Sequence, residues 1–294
     1  MSDLDYIGLK IVIVNWCRPV DTIDCVQSLL QASIPAGHVL VIDNGSTDDS
    51  VVQISDACPG IEIQRLIENQ GFAGGYNYGI ELALKSGMEK IFLLNNDTIV
   101  GPDTIPILMV SKWDVCVPKI YYYDNPEIVW SAGAQWRRFP PMVIMRAYHR
   151  RDNLRYDDEI ELDYATACAL MVRREVFEQA GMFDQQFENY FEDYDFMYRV
   201  REAGFRTGYV PEAKVWHKVS QSLGETSPQR LWYLGRNSVL FYRKEKRFPS
   251  WALYSFLIWV AIREMLKFNF RQLLYFWRGV LAGFRWIKHG TSRL

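Results

Sequence analysis

Three short apolar runs, each followed by polar residues, and a fourth strand-like segment constrain this chain more than any other feature. Leu9 to Trp16 (LKIVIVNW) is apolar and β-branched, the pattern of a strand buried in a parallel sheet. Pro19 can start the helix that follows, because a missing amide costs nothing at the first helical position; Val20, Ile23, Val26, Leu29 and Leu30 then recur at helical spacing. Val39 to Ile42 reads as a second strand, ended by Asp43-Asn44-Gly45, with Ser46 or Thr47 able to cap the next helix. Ile61 to Ile67 reads as a third strand, Gly71 to Gly75 as a glycine-rich turn, Tyr76 to Lys85 as a helix and Ile91 to Leu94 as a fourth strand. This alternation predicts an α/β fold with an open, mostly parallel sheet flanked by helices. Ligands of such sheets bind beyond the carboxyl ends of the strands, where Asn15, Asp43 and Asp97 fall.

From Lys119 to Glu161 the pattern breaks into Tyr-, Trp-, Arg- and Gly-rich pieces, read as loops and short strands shaping a cleft. Helices are expected from Arg173 to Gln179, ending at Gly181, and from Glu192 to Gly204. The chain after Pro228 reads as helical. The expected organisation is a catalytic domain over 1–225, with a nucleotide half to about residue 100 and an acceptor half after it, and a helical appendage over 226–294.

Five cysteines without paired spacing argue against a disulfide framework or zinc ribbon and for a reducing compartment. The N-terminal MSDLDYIGLK lacks the basic and apolar regions of a signal peptide, and Trp251 to Ile262 is too short to span a bilayer. A cytoplasmic protein is expected, peripheral at the membrane's inner face if its tail binds lipid. Net charge is −2, yet from Pro228 onward 13 Lys and Arg stand against 2 Asp and Glu. In that tail Trp251, Trp259, Trp277 and Trp286 interleave with Arg263, Lys267, Arg271, Arg278, Arg285 and Lys288. Such helices suit an anionic membrane surface, and equally a cap on the body or a homodimer contact. No RNA or DNA motif accompanies the basic residues, so nucleic acid is not an expected partner.

Five constellations can carry chemistry. Asp43 can accept a hydrogen bond from a nucleobase or ribose, although Asp-Asn-Gly is also ordinary turn chemistry. ENQGFAGGYNYG, with Asn69, Gly71 and Gly74, lets backbone approach a ligand or pack against a helix. It is neither a dinucleotide fingerprint nor a P-loop, so neither a nicotinamide cofactor nor ATP in a Walker site is implied. Asn95-Asn96-Asp97 closes the apolar IFLL and offers one carboxylate to Mg²⁺ or Mn²⁺ beside a diphosphate, or forms a plain turn. Glu192-Asp193-Tyr194-Asp195 crowds three acids among aromatics, which raises carboxylate pKa values and suits a general base; the same acids would also favour a helix N-terminus. His217 follows a strand and can be a metal ligand or a structural histidine.

Taken in order, IVIVNW, VIDNGSTDDS, ENQGFAGGYNYGI, FLLNNDT, VWSAGA, DYATACALMVRREVF, GMFDQQFENYFEDYDFMYRVREAGF, VPEAKVWHKVSQS and YLGRNSVLFYRK resemble glycosyltransferase family two, the inverting enzymes of GT-A fold, over about Leu9 to Lys244. The likeness is to the rhamnosyltransferase-like branch. It implies that Asp43 binds the donor base, that Asn15, Asn69, Gly71, Gly74, Asn95 and Asn96 line the nucleotide-sugar, and that Asp97 and His217 hold Mg²⁺ or Mn²⁺. Asp193 would be the catalytic base with Glu192 beside it, and Arg236, in the closing motif with Tyr233 and Asn237, would contact phosphate. The implied donor is dTDP-L-rhamnose or a UDP-sugar, and the implied acceptor a lipid-linked or growing surface polysaccharide. Asn95 replaces the first Asp of the family's DXD motif, and Ala167 stands where the family often has Gly. The rival readings are nucleotidyl transfer, which lacks its basic glycine loop after the first strand, and a degenerate glycan-binding scaffold.

Overall fold

The computed structural model describes residues 6–219, 227–244 and 247–289. The N-terminal pentapeptide, residues 220–222 of VPEAKVWHKVSQS and the expected domain boundary at 225–226 lie outside the described residues. Strands β1 (Leu9–Asn15), β2 (Val39–Asp43), β3 (Glu62–Arg65) and β4 (Lys90–Asn95) form the parallel half of the sheet, in the order β4-β1-β2-β3. Helices α1 (Pro19–Gln31), α2 (Ser50–Ala57) and α3 (Gly71–Lys85) make the crossovers. Alternate residues of these strands face opposite sides. Val12, Leu40, Ile42, Ile91 and Leu93 pack with Tyr76, Ile80 and Ala83 of α3, whereas Ile11, Ile13, Val39, Val41, Phe92 and Leu94 pack with Cys25, Val26 and Leu29 of α1.

β5 (Thr98–Val100) and α4 (Thr104–Met109) lead into β6 (Val115–Tyr122), so the segment read as loops from Lys119 begins inside a central strand. The buried Lys119 disguised it; its Nζ is paired with Asp152 at 3.0 Å and Asp157 at 2.6 Å. The short strands β7 (Ile128–Ser131), β8 (Ala134–Arg138), β9 (Pro141–Met145), β10 (Arg150–Arg151) and β11 (Ile160–Leu162) follow. β12 (Ala169–Arg173) runs antiparallel between β4 and β6, then come α5 (Arg174–Ala180) and α6 (Glu192–Glu202). β13 (Thr207–His217) pairs in parallel with β6 and antiparallel with β5. Helices α7 (Pro228–Arg243), α8 (Ser250–Leu266) and α9 (Phe270–His289) build a separate apolar cluster with Phe187 and Phe191.

Two local expectations change. The Gly71–Gly75 segment is the start of α3 rather than a turn before it, because its glycines serve close packing on the sheet. A Cβ on Gly75 would stand 2.9 Å from Val14 Cγ1, and one on Gly79 would overlap Val12. Ser46 and Thr47 do not cap α2, which begins at Ser50; Ser46 is drawn inward by Asn15 and Cys17 instead. Gly79→Ala is therefore expected to destabilise the fold by about 1–3 kcal/mol through overpacking, despite alanine's better helix propensity, as a lowered urea midpoint would show.

Candidate active site

The strand ends carry a continuous polar network. Asn15 and Asp43 are register partners that close β1 and β2. Asn15 Nδ2 donates to Asp43 Oδ1 at 2.9 Å and to Ser46 Oγ at 3.2 Å, and the Ser46 amide donates to Asp43 Oδ2 at 3.2 Å. Arg65 Nε stands 3.6 Å from the same carboxylate. Both Asn15 and Asp43 are fully buried. Asn15 Oδ1 accepts from Thr22 Oγ1 at 2.8 Å, and Thr22 Oγ1 accepts from Asn96 Nδ2 at 3.1 Å, which brings the network to Asp97. Asn44 ties the next loop: it donates to Asn69 Oδ1 and the Gly71 carbonyl and accepts from the Gln70 amide. Gly71, in the left-handed region at φ 71°, meets the Glu188 backbone, and Gly74 leaves room for the Gln70 side chain. Asn95 accepts from the Tyr76 hydroxyl at 3.2 Å.

Asp97 and His217 are 120 positions apart in sequence and adjacent in space. The register of β13 on β5 sets His217 opposite Thr98, and the Lys218 amide donates to the Asp97 carbonyl at 2.8 Å. His217 Nε2 then faces Asp97 Oδ1 at 3.1 Å. Burial works against both charges. It is outweighed at Asp97 by the hydrogen bond and charge of His217, which hold the carboxyl below its ordinary range, and at His217 by Cys168 and Asp97, which push the imidazole up to about 10. Trp130 packs edge-on against the ring at 4.6 Å.

Asp193 and Glu192 occupy the first turn of α6. Burial raises the Asp193 carboxyl to about 6, against hydrogen bonds from the Tyr164 hydroxyl and from the Tyr194 and Ala167 amides. Glu192 is raised well above its usual range by burial and then by the Asp193 charge, and its Oε2 has no hydrogen-bond partner among the described residues. Asp195 turns away: it is fully buried and paired with Arg199, Lys244 and Arg247 at 2.6–2.9 Å. The segment 164–168 joins the two chemical groups. Tyr164 and Ala167 hold Asp193, while Cys168 lies against His217 and its carbonyl accepts from the Asn95 amide at 2.8 Å.

A divalent cation is the group implied for Asp97 and His217. One carboxylate and one imidazole already face each other, and no group of three or more His, Cys, Asp or Glu able to hold a metal occurs among the described residues, although Cys168 lies against His217. Once the imidazole gives up its Nε2 proton, that set would fit Mn²⁺ or Mg²⁺, which complete their shells with phosphate oxygens and water, and does not fit a closed structural zinc site.

Arg236 is a correction. Its guanidinium is fully buried, donating from Nη1 to the Gln186 carbonyl at 2.8 Å and to Asn237 Oδ1 at 2.7 Å, and lying over Trp286. In this conformation it is not presented to a phosphate. With Asn237, whose amide donates to the carbonyls of Phe187, Asn189 and Tyr190 at 2.7 Å, it braces the loop before α6. Sequence reasoning missed Tyr164, Asn44 and Thr22. Tyr164 lies within DYATACAL, and only the fold aims it at Asp193. An open cleft of about 720 Å³, lined by Glu188, Gln229, Trp232, Tyr233, Arg271 and Tyr275, adjoins the braced loop.

Residues 8–235 match the glycosyltransferase like family 2, and the chain belongs to that family. It is 24% identical over 97% of its length, and 92% of the relative's, to the low-salt glycan biosynthesis hexosyltransferase of Haloferax volcanii. It is 26% identical to the N-acetylglucosaminyl-diphospho-decaprenol L-rhamnosyltransferase of Mycobacterium tuberculosis, over 69% of this chain and 73% of that one. To the dTDP-rhamnosyl transferase of Shigella flexneri it is 24% identical, over 70% and 71%. Among solved structures it resembles GalNAc-T7 with UDP, GalNAc and Mn²⁺ (TM-score 0.59, 16% identity, 81% of this chain) and S. aureus TarS (TM-score 0.53, 16% identity, 80% of this chain). The chain spans 48% and 40% of the lengths of those two. The fold is GT-A, and the protein is a glycosyltransferase of glycan or polysaccharide biosynthesis.

Asp193 holds its proton more tightly folded than unfolded, so the stability linked to that proton is present at low pH and lost as pH rises from 3.8 toward about 6. Asp193→Asn is accordingly expected to melt higher than the parent at pH 7, with the difference shrinking toward pH 4. Tyr164→Phe removes a hydrogen bond that favours the carboxylate and should move the Asp193 transition above about 6 in a ¹³C NMR titration.

Proposed function

We propose that the protein is an inverting glycosyltransferase that moves a sugar, L-rhamnose from dTDP-L-rhamnose as the leading case, to a hydroxyl of a lipid-linked or growing surface polysaccharide. The observation that carries this reading is the juxtaposition through residues 164–168 of a carboxylate poised near 6 with the Asp97–His217 pair. Two of the relatives are named as rhamnosyltransferases, and one of those names includes a diphospho-lipid acceptor, which supports the donor and acceptor classes.

In the proposed reaction the acceptor oxygen attacks the anomeric carbon from the face opposite the nucleotide. The bond from that carbon to the diphosphate oxygen breaks, the diphosphate leaves with the electron pair, and Asp193 takes the hydroxyl proton. A single displacement inverts the centre. Tyr164 keeps Asp193 oriented, and its own proton is secure because burial and the Asp193 charge raise its pKa. Glu192, held neutral by the same burial, leaves Asp193 as the single negative charge of the pair. Asp97 and His217 would hold Mn²⁺ or Mg²⁺, which when bound offsets charge on the leaving diphosphate. Asn15, Asp43, Asn69, Gly71, Gly74, Asn95 and Asn96 frame the donor side; Asp43 is the group proposed to select the base. The aromatic cleft beside Glu188 supplies flat faces and hydrogen-bonding groups suited to the acceptor glycan.

A UDP-hexose is the second donor reading, favoured by the fold's likeness to a structure that holds UDP and Mn²⁺. Thermal shifts with Mn²⁺ and either dTDP-L-rhamnose or UDP-hexoses separate the two, since only a bound donor raises the melting temperature by mass action.

With an N-acetylglucosaminyl-diphospho-lipid as acceptor, Asp193→Asn is expected to lose about 10²–10⁴-fold in kcat while keeping the donor-induced thermal shift. Near-normal turnover would remove Asp193 from the role. In the parent, turnover falls as pH drops through about 6, because the base must be ionised. EDTA should abolish turnover and Mn²⁺ restore it; full activity in chelator would refute the metal assignment.

A further inference from the structure

The α8–α9 hairpin carries an apolar surface that the described chain does not cover. On α8, Trp251, Tyr254, Ile258, Ile262 and Met265 are each about half exposed and follow one another at helical spacing along one stripe. On α9, Phe270, Leu274, Trp277 and Leu281 repeat the pattern. The stripes meet at the turn between the helices, where Leu266, Phe268 and Phe270 are 75%, 79% and 64% exposed. At the other end of α8, exposed Phe139 from the β8–β9 tip lies 6.2 Å from the Trp251 ring and extends the patch.

The opposite helix faces are already occupied. Ala252, Leu253, Phe256, Leu257 and Val260 pack into the cluster shared with α7, and Gly279 and Gly283 bring α9 against the α7 backbone so closely that a Cβ would collide. Two of the tryptophans noted in the sequence turn inward: Trp259 lies over Arg137 and Arg263, and Trp286 donates to Gln186 Oε1 at 3.2 Å. The outward stripes therefore need an outside partner. Exposed patches of this extent mark interaction sites.

Charge selects the partner. Residues 250–289 carry six Lys and Arg against one acid, Glu264, which is buried and paired with Arg263 at 2.7 Å. A second copy laid on the same face would set those cations against each other. An anionic bilayer offers both an apolar phase for the stripes and counter-charge for Lys267 and Arg278. No described helix is long and apolar enough to cross a membrane, so the hairpin can only lie in the interface.

We infer that the α8–α9 hairpin docks this glycosyltransferase on an anionic lipid surface, with Leu266, Phe268 and Phe270 as the inserted tip. Arg271 and Tyr275, on the neighbouring face of α9, line the aromatic cleft, which thereby opens beside the docked face. The inference does not depend on the proposed reaction.

Flotation of the full chain with phosphatidylcholine vesicles, with and without phosphatidylglycerol, tests it. The parent is expected to float with the anionic vesicles and far less with the neutral ones. Leu266→Glu/Phe268→Glu/Phe270→Glu should reduce binding by at least roughly ten-fold, with an unchanged melting temperature and donor-induced thermal shift. Lys267→Gln/Arg278→Gln, which leaves the apolar tip intact, should remove the preference for anionic lipid. Failure of the parent to float, equal flotation of the triple variant, or a sedimentation-defined dimer that the triple variant dissociates would each overturn the proposal. All of these readouts are separate from turnover.

Discussion

The pairing of β13 with β5 is the constraint on which the rest of the site depends. It sets His217 opposite Thr98 and so against Asp97, the first residues after β4 and the last residue of β13 meeting at one edge of the sheet. An antiparallel strand, β12, is inserted next to β4, and the segment entering it, 164–168, passes between the Asp97–His217 pair and Asp193. A parallel sheet alone would gather the strand ends but would not bring Asp193 toward them. The mixed half of the sheet performs that task.

The loop before Asp193 is held from the opposite side by the C-terminal helices. Glu188, Tyr190 and Phe191 adopt left-handed backbone at φ 49°, 65° and 73°, conformations that cost about 1–3 kcal/mol each outside glycine. Asn237 compensates by donating to three carbonyls of the same loop, and Asp195 anchors the first turn of α6 to Lys244 and Arg247. Arg236, in the closing motif, braces the backbone of that loop.

The ionisation states follow from the same packing. Asp97 is held below its ordinary range because His217 compensates its burial, whereas burial raises Asp193 to about 6, with hydrogen bonds and no cation acting against it. Two acids of similar depth are pushed in opposite directions by their neighbours.

The four strands of the parallel half, their order along the chain and the polar residues that follow them were legible in the sequence, because buried parallel strands are largely apolar along their length and become polar where they leave the sheet. Asp43, Asp97 and His217 could be picked out for that reason, and Asp193 for the crowding of three acids among aromatics. The register that brings His217 to Asp97, the Tyr164 hydroxyl on Asp193 and the enclosure of Arg236 were decided by the tertiary structure. Each is a contact between residues 29 to 120 positions apart or a burial set by several elements at once, and no local pattern of side chains encodes such distances. The glycines of α3 show the same division: their presence was visible, but whether they served a ligand or a helix-on-sheet contact depended on what Val12 and Val14 placed beneath them.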